Sequence, residues 1–287
     1  MWNNKLSGNI RFEIEKPHKI QFLDLSQNNF SMNIPSSLGN CTNLIDLYLQ
    51  ENYLQGSIPS SLGQYRNLVY LCLGHNNLSG SISPQVIDLS FSPISLDISA
   101  NQFTSTLPME VGNFKNLGYL DFSKNILSGK IPMTLRSCVK LEFLAIRRNF
   151  FQGFIPSSFE LLRGLKQFDH SNNNFSGEIP KFLELFDLQL LNLSNNHFEG
   201  EVPTNGISKN SSATSLNGNG ELCGGIPKFQ LPKCKYNKSK KKKLTLTVKL
   251  IISILSRLSR VILILSLLLL FSLRKKKTKK KEEKYLN

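Results

Sequence analysis

One asparagine recurs along this chain at an almost fixed interval: Asn4, Asn28, Asn52, Asn76, Asn101, Asn125, Asn149, Asn173 and Asn196. The steps between them are 24, 24, 24, 25, 24, 24, 24 and 23 residues. A period of roughly 20–50 residues marks a stacked array and takes precedence over any element-by-element reading. Each copy follows L-x-x-L-x-L-x-x-N-x-L, as at Leu68, Leu71, Leu73 and Asn76. The alternation predicts a short strand with its leucines on the buried face. Parallel strands are expected near 22–26, 46–50, 70–74, 95–99, 119–123, 143–147, 167–171 and 190–194. The Asn side chain has two donors and acceptor capacity, so it can satisfy turn backbone inside the stack and form a ladder. One unit cannot bury its own apolar face, whereas stacked units share a continuous core. At about 4.8 Å per strand the arc is on the order of 40 Å.

The copies LDFSKNILSGKIP (120–132), LDLSQNNFSMNIP (23–35) and LNLSNNHFEGEVP (191–203) resemble the leucine-rich repeat family. The run L-S-G-x-I-P from Leu127 to Pro132, echoed from Phe175 to Pro180, is similar to the plant-specific subtype. The resemblance covers about residues 3–203. It implies an α/β repeat solenoid: a plant-type superhelix with a parallel β-sheet on its concave face and a second short strand following the Gly. Some copies depart from the pattern. Met32 and Ser105 stand where Gly is usual, Ser83 stands where Pro is usual, and His170 occupies a buried leucine position. His170 reads as a neutral core residue; a lone His without partners at ligand spacing proposes no metal. The fifth copy, Ile82 to Ile98, carries the extra residue and two prolines, so its convex loop is expected to be irregular.

After Pro203 the phase stops, and residues 204–234 are rich in Asn, Gly and Ser. An array needs a polar cap over its last core face. Cys223 and Cys234, 11 residues apart, suggest a disulfide that staples this cap. The wording of this segment, with GNGELCGGIP and then LPKC, resembles the carboxy-terminal cap of plant receptor-like kinases, the microbial-pattern-sensing subclass above all. Cys41 and Cys138 hold the same position four copies apart, roughly 20 Å at strand spacing, too far to be bridged. They read as small buried hydrophobes. Cys72 should face outward, with nothing near it to lower its pKa. Sequons begin at Asn29, Asn40, Asn77, Asn174, Asn192, Asn210 and Asn237. Poor access is expected at Asn29, Asn77 and Asn174, which follow ladder positions; Asn40 and Asn210 are the better glycosylation candidates.

The net charge of +15 lies wholly beyond the cap. From Lys235 onward there are 17 Lys or Arg and 2 Asp or Glu, whereas residues 1–234 hold 18 of each sign. That removes a nucleic-acid reading of the array and points to a membrane surface. Residues 235–249 form a basic juxtamembrane segment and 274–287 a basic cytoplasmic tail. Between them, residues 250–273 are apolar except for serines and Arg257 and Arg260. Twenty-four residues span about 36 Å as a helix, enough for a bilayer core of about 30 Å. The two arginines cost about 5–7 kcal/mol against roughly −0.5 for each of some fifteen Leu, Ile, Val and Phe. The sum is marginally favourable to a single transmembrane helix; an interfacial basic helix is the alternative.

Domain organisation is therefore read as repeats over 1–203, about nine with the first incomplete, then a cap over 204–234, the basic segment, one transmembrane helix and the tail. No signal peptide is visible at Met1, nor the family's amino-terminal cap, and no G-x-G-x-x-G, H-R-D or D-F-G kinase sequence follows. The chain reads as a fragment of a receptor-like kinase or receptor-like protein. Nothing in it proposes catalysis, a metal or a cofactor.

The expected function is a plasma-membrane, single-pass recognition module with extracellular repeats, used in signalling or defence. Its partners would be a peptide or protein ligand, a co-receptor ectodomain and the membrane. A soluble inhibitor of a secreted enzyme and a truncated, non-functional product are the alternatives; residues 250–273 argue against the first. The outward strand positions bring Tyr119, Phe143, Arg147 and Arg148 into one cluster, with Tyr70 and Tyr48 further along. Aromatics and Arg are enriched at binding hot spots, and Arg can grip a carboxylate with two bonds. Asp121, one copy away, is the expected ion-pair partner of Arg147.

Overall fold

The computed structural model of the chain describes residues 1–11, 19–87 and 93–235. The basic segments and the apolar stretch 250–273 lie outside the described residues, apart from Lys235. Among the described residues no helix is long and apolar enough to cross a membrane.

The alternating leucines do form strands, each three residues long and each starting where the pattern places it. Phe22–Asp24, Asp46–Tyr48, Tyr70–Cys72, Ser95–Asp97, Tyr119–Asp121, Phe143–Ala145, Gln167–Asp169 and Leu190–Asn192 lie side by side in one parallel sheet. Thr214–Ser215 adds a ninth strand at the cap end. Pairing is in register throughout, as in Tyr119↔Phe143 and Leu120↔Leu144. The middle residue of these strands is buried from Leu47 to Leu191, so one face of the sheet is the core wall.

A second strand in each copy forms flanking sheets. Ser7–Asn9, Asn29–Asn33, Tyr53–Gly56, Asn77–Ser81 and Gln102–Thr104 make one of five strands. Ser128–Gly129, Phe150–Gly153, Asn174–Glu178, His197–Val202 and Glu221–Gly224 make another. Among the described residues they meet at one isolated bridge, Thr106↔Ser128. The expected position of these strands is corrected: they run into the Gly rather than follow it. At that position Gly56, Gly80, Gly129, Gly153, Gly177 and Gly200 have φ between 74° and 84°. Met32 and Ser105 hold the same left-handed backbone at φ 65° and 71°, where a Cβ is strained.

The α/β description also needs correction on the convex side. The connections are five-residue 3₁₀ turns, for example Ser36–Asn40, Met133–Ser137 and Lys181–Leu185, each opening after a proline. Five residues close little more than one helical turn, which suits 3₁₀ bonding. In the fifth copy, where Ser83 replaces the usual Pro, the turn is instead a short α-helix, Pro84–Ile87.

The Asn ladder holds the copies together. Asn125 is typical: its Oδ1 accepts the N–H of Phe103 at 3.0 Å in the preceding copy. Its Nδ2 donates to Ile98 O at 3.1 Å there and to Phe122 O and Ser123 O at 3.2 Å in its own turn. The ladder does not stop at Asn196. Asn219, 23 residues on, accepts the N–H of Phe198 at 3.0 Å and donates to Leu193 O at 3.0 Å. The cap is thus one further, degenerate turn of the array. Cys223 and Cys234 are bonded across it, with Cα atoms 4.9 Å apart.

Cys41 and Cys138 are free and buried, as read from their position. His170 is fully buried, stacked on Phe168 with ring centroids 3.8 Å apart, and neither ring nitrogen finds a well-formed partner. Burial pushes its pKa down to about 3, the Asp169 backbone opposing only in part.

Two predictions follow from this core. Ser105→Gly should raise unfolding stability by about 0.5–1 kcal/mol, since the left-handed strain it removes exceeds the entropy cost of glycine; urea unfolding measures it, and a loss of stability would contradict the strain. For His170, the unfolded chain takes up a proton near pH 6.5 and the folded chain does not until about pH 3. Stability is therefore lost as pH falls through that window. His170→Phe, the residue type at Phe122, should remove this loss and gain about 2 kcal/mol on the natural chain between pH 7 and pH 5. Parallel pH dependences of the two proteins would refute it.

Candidate recognition surface

The opposite face of the nine-stranded sheet carries the side chains that alternate with the leucines. Locked register sets them in columns one strand apart. The first column runs Phe22, Asp46, Tyr70, Ser95, Tyr119, Phe143, Gln167, Leu190. The second runs Asp24, Tyr48, Cys72, Asp97, Asp121, Ala145, Asp169, Asn192.

Most of the residues expected to cluster do meet. Tyr119 and Phe143 stack face to face, with centroids 4.2 Å apart and planes 7° from parallel. Tyr48 and Tyr70 stack more loosely at 6.4 Å and 28°. Burial, then the carboxylates of Asp121 and Asp97, raise the Tyr119 pKa well above that of a free phenol. The Tyr119 hydroxyl therefore stays protonated. Burial also raises Asp121, while the Ser123 backbone N–H, which donates to its Oδ1 at 2.8 Å, holds it down in part.

The arginines differ from expectation. Arg147 Nη1 pairs with Asp169 Oδ2 at 3.5 Å, on the following strand, rather than with Asp121. The Arg147 side chain remains 46% exposed. Arg148 lies beyond the strand, in the turn before Asn149, with a left-handed backbone at φ 53°. It is exposed, but no longer an outward strand position beside the rings. Spacing alone does not separate Asp121 from Asp169, because the two stand one strand either side of Ala145, two residues before Arg147.

Cys72 lies half-buried in the second column. Burial, then Asp97, Asp46 and Asp24, push its thiol up to about 12, so it is no nucleophile. Among the described residues no group of three or more His, Cys, Asp or Glu could hold a metal.

Asn40 and Asn210 are exposed. So are Asn29, Asn77 and Asn174, against the expectation of poor access, because the residue after each ladder Asn opens the flanking strand at the surface. Asn192 is the sequon on the nine-stranded sheet, and its Oδ1 already accepts from the Ser194 N–H and hydroxyl at 3.2 and 2.8 Å.

The Leucine Rich Repeat family model matches residues 19–41, 43–65, 67–89 and 187–208. No curated protein sequence matches the chain. Among solved structures, the plant peptide hormone receptor RGFR1, in complex with RGF2, is 32% identical with a TM-score of 0.71. The match covers 79% of this chain and 36% of that one. The ectodomain of the Arabidopsis thaliana membrane receptor kinase GASSHO1/SCHENGEN3, in complex with CASPARIAN STRIP INTEGRITY FACTOR 2, is 32% identical at TM-score 0.75, over 82% and 28%. The Arabidopsis receptor kinase HAESA, with the peptide hormone IDA and the co-receptor SERK1, is 26% identical at TM-score 0.61, over 78% and 45%. The chain thus spans less than half the length of each of these structures. It carries leucine-rich repeats, and its array is similar to those of these plant receptor ectodomains.

Proposed function

We propose that residues 1–234 are a non-catalytic recognition module of an extracellular plant receptor-like protein. The ligand is a peptide or protein segment laid along the exposed face of the nine-stranded sheet. A co-receptor ectodomain is the second partner. Residues 250–273 anchor the chain once in the plasma membrane with the array outside, in signalling or defence. The similar receptors in complex with peptide hormones, one of them with a co-receptor, support this reading.

The observation that carries it is the stacked Tyr119–Phe143 pair, with a half-exposed Arg147, on the outward side of the sheet. Stacked rings are rigid and cost little side-chain entropy on binding, and an exposed arginine pair contributes little to folding. Such residues can therefore be spent on a ligand without loss of the core.

The test is a synthetic peptide library screened against the full chain, with each binder re-measured on variants. Tyr119→Ala and Arg147→Ala should each weaken binding by about 2 kcal/mol with the fold intact. Unchanged affinity in both would remove this cluster from the site.

A further inference from the structure

The exposed sheet face is electrically lopsided. Segments 20–27, 44–51, 68–75 and 94–100 carry four successive strands and the turns that leave them. They contain Asp24, Asp46, Glu51 and Asp97 and neither lysine nor arginine. The next three, 118–124, 142–148 and 166–172, hold Lys124, Arg147, Arg148 and Lys166 with Asp121, Glu142 and Asp169. Both ion pairs found among the described residues, Arg147–Asp169 and Lys166–Glu142, belong to this second half.

In the acidic half the carboxylates surround two rings. Register sets Asp46 beside Tyr70 and Asp24 beside Tyr48, with Cys72 between Tyr48 and Asp97. Tyr48 and Tyr70 stack on each other. Asp24 and Asp97 each accept a backbone N–H, from Ser26 and Ser99, and Asp46 Oδ1 is buried without a partner. The joint field is felt by their neighbours: burial first, then Asp46, Cys72, Tyr70 and Asp24, push Tyr48 up to about 12. A lysine or arginine side chain suits this surface on two grounds. It is drawn to the face of a tyrosine ring, and it relieves carboxylates that no cation of the same strands offsets.

We infer that this tyrosine-lined acidic half binds a lysine- or arginine-bearing segment of an extended peptide, its cation over Tyr48 and Tyr70 and between Asp46 and Asp97. The inference rests on the proposed recognition role of the same sheet. It adds the charge of the ligand and its placement: the basic residues lie toward the Asn4 end of the array.

The experiment titrates acetylated, amidated tetralysine into the full chain in nonionic detergent, at low salt and at 0.15 M salt, by calorimetry. Uncharged tetraserine is the control. Tetralysine should bind, more weakly at higher salt, and tetraserine should not. Asp46→Asn with Asp97→Asn should weaken tetralysine roughly tenfold, and Tyr48→Ala should weaken it independently. Glu160→Gln with Glu178→Gln, away from this face, should leave it unchanged. Equal affinity in the natural chain and the Asp46/Asp97 variant, or no tetralysine binding at all, overturns the inference. Such a failure alongside a retained Tyr119→Ala effect leaves the recognition role standing. A null Tyr119→Ala result alongside site-specific tetralysine binding removes only the other half of the site.

Discussion

Every turn of this protein is closed by an asparagine side chain that bonds to the backbone of its neighbour. A buried amide with four hydrogen-bonding sites is costly unless all are used. Here the Oδ1 takes an N–H from the preceding flanking strand, and the Nδ2 serves carbonyls on both sides. The geometry has its own cost. The residue before each ladder Asn is left-handed, from Asn3 through Gln27, Glu51, His75, Ala100, Lys124, Arg148, Asn172 and Asn195. Only in the last turn does glycine, Gly218, relieve that strain. Nine copies of the bond, from Asn28 to Asn219, make an isolated three-residue strand into part of a continuous wall.

The proposed recognition surface is a consequence of that lock. Strands this short have little register preference of their own, and a slip of one residue would turn Tyr119 and Phe143 into the core. With register fixed, each copy contributes one residue per column, and neighbouring copies can differ without disturbing the fold. Aromatic stacking, the Arg147–Asp169 pair and the unbalanced carboxylates near Tyr48 are all relations between adjacent copies.

Much of this was legible in the sequence because the leucine and Asn positions report burial and turn chemistry directly. Strand starts, the free buried cysteines and the Cys223–Cys234 pair all followed from position. Other features were hidden for physical reasons. Asn219 escaped because its turn reads Leu216-Asn217-Gly218-Asn219, without the leucine alternation that marked the other copies. Which neighbour Arg147 pairs with depends on how its side chain leans, and spacing carries no such information. Arg148 looked outward-facing until the left-handed turn moved it off the strand. The convex turns are too short for an α-helical period to be expressed, so only the proline before them signals their start.

The central claim is that the asparagine ladder carries the array from Asn28 through the cap at Asn219. Hydrogen exchange of the full chain, resolved to single amides, tests it most directly. The amides of Leu6, Phe30, Leu54, Leu78, Phe103, Leu127, Phe151, Phe175 and Phe198 all donate to ladder oxygens. They should fall among the slowest to exchange, Phe198 included, apart from Leu6 at the open end. Exchange of these amides as fast as that of the exposed convex turns, or loss of protection at Phe198 alone, would contradict it.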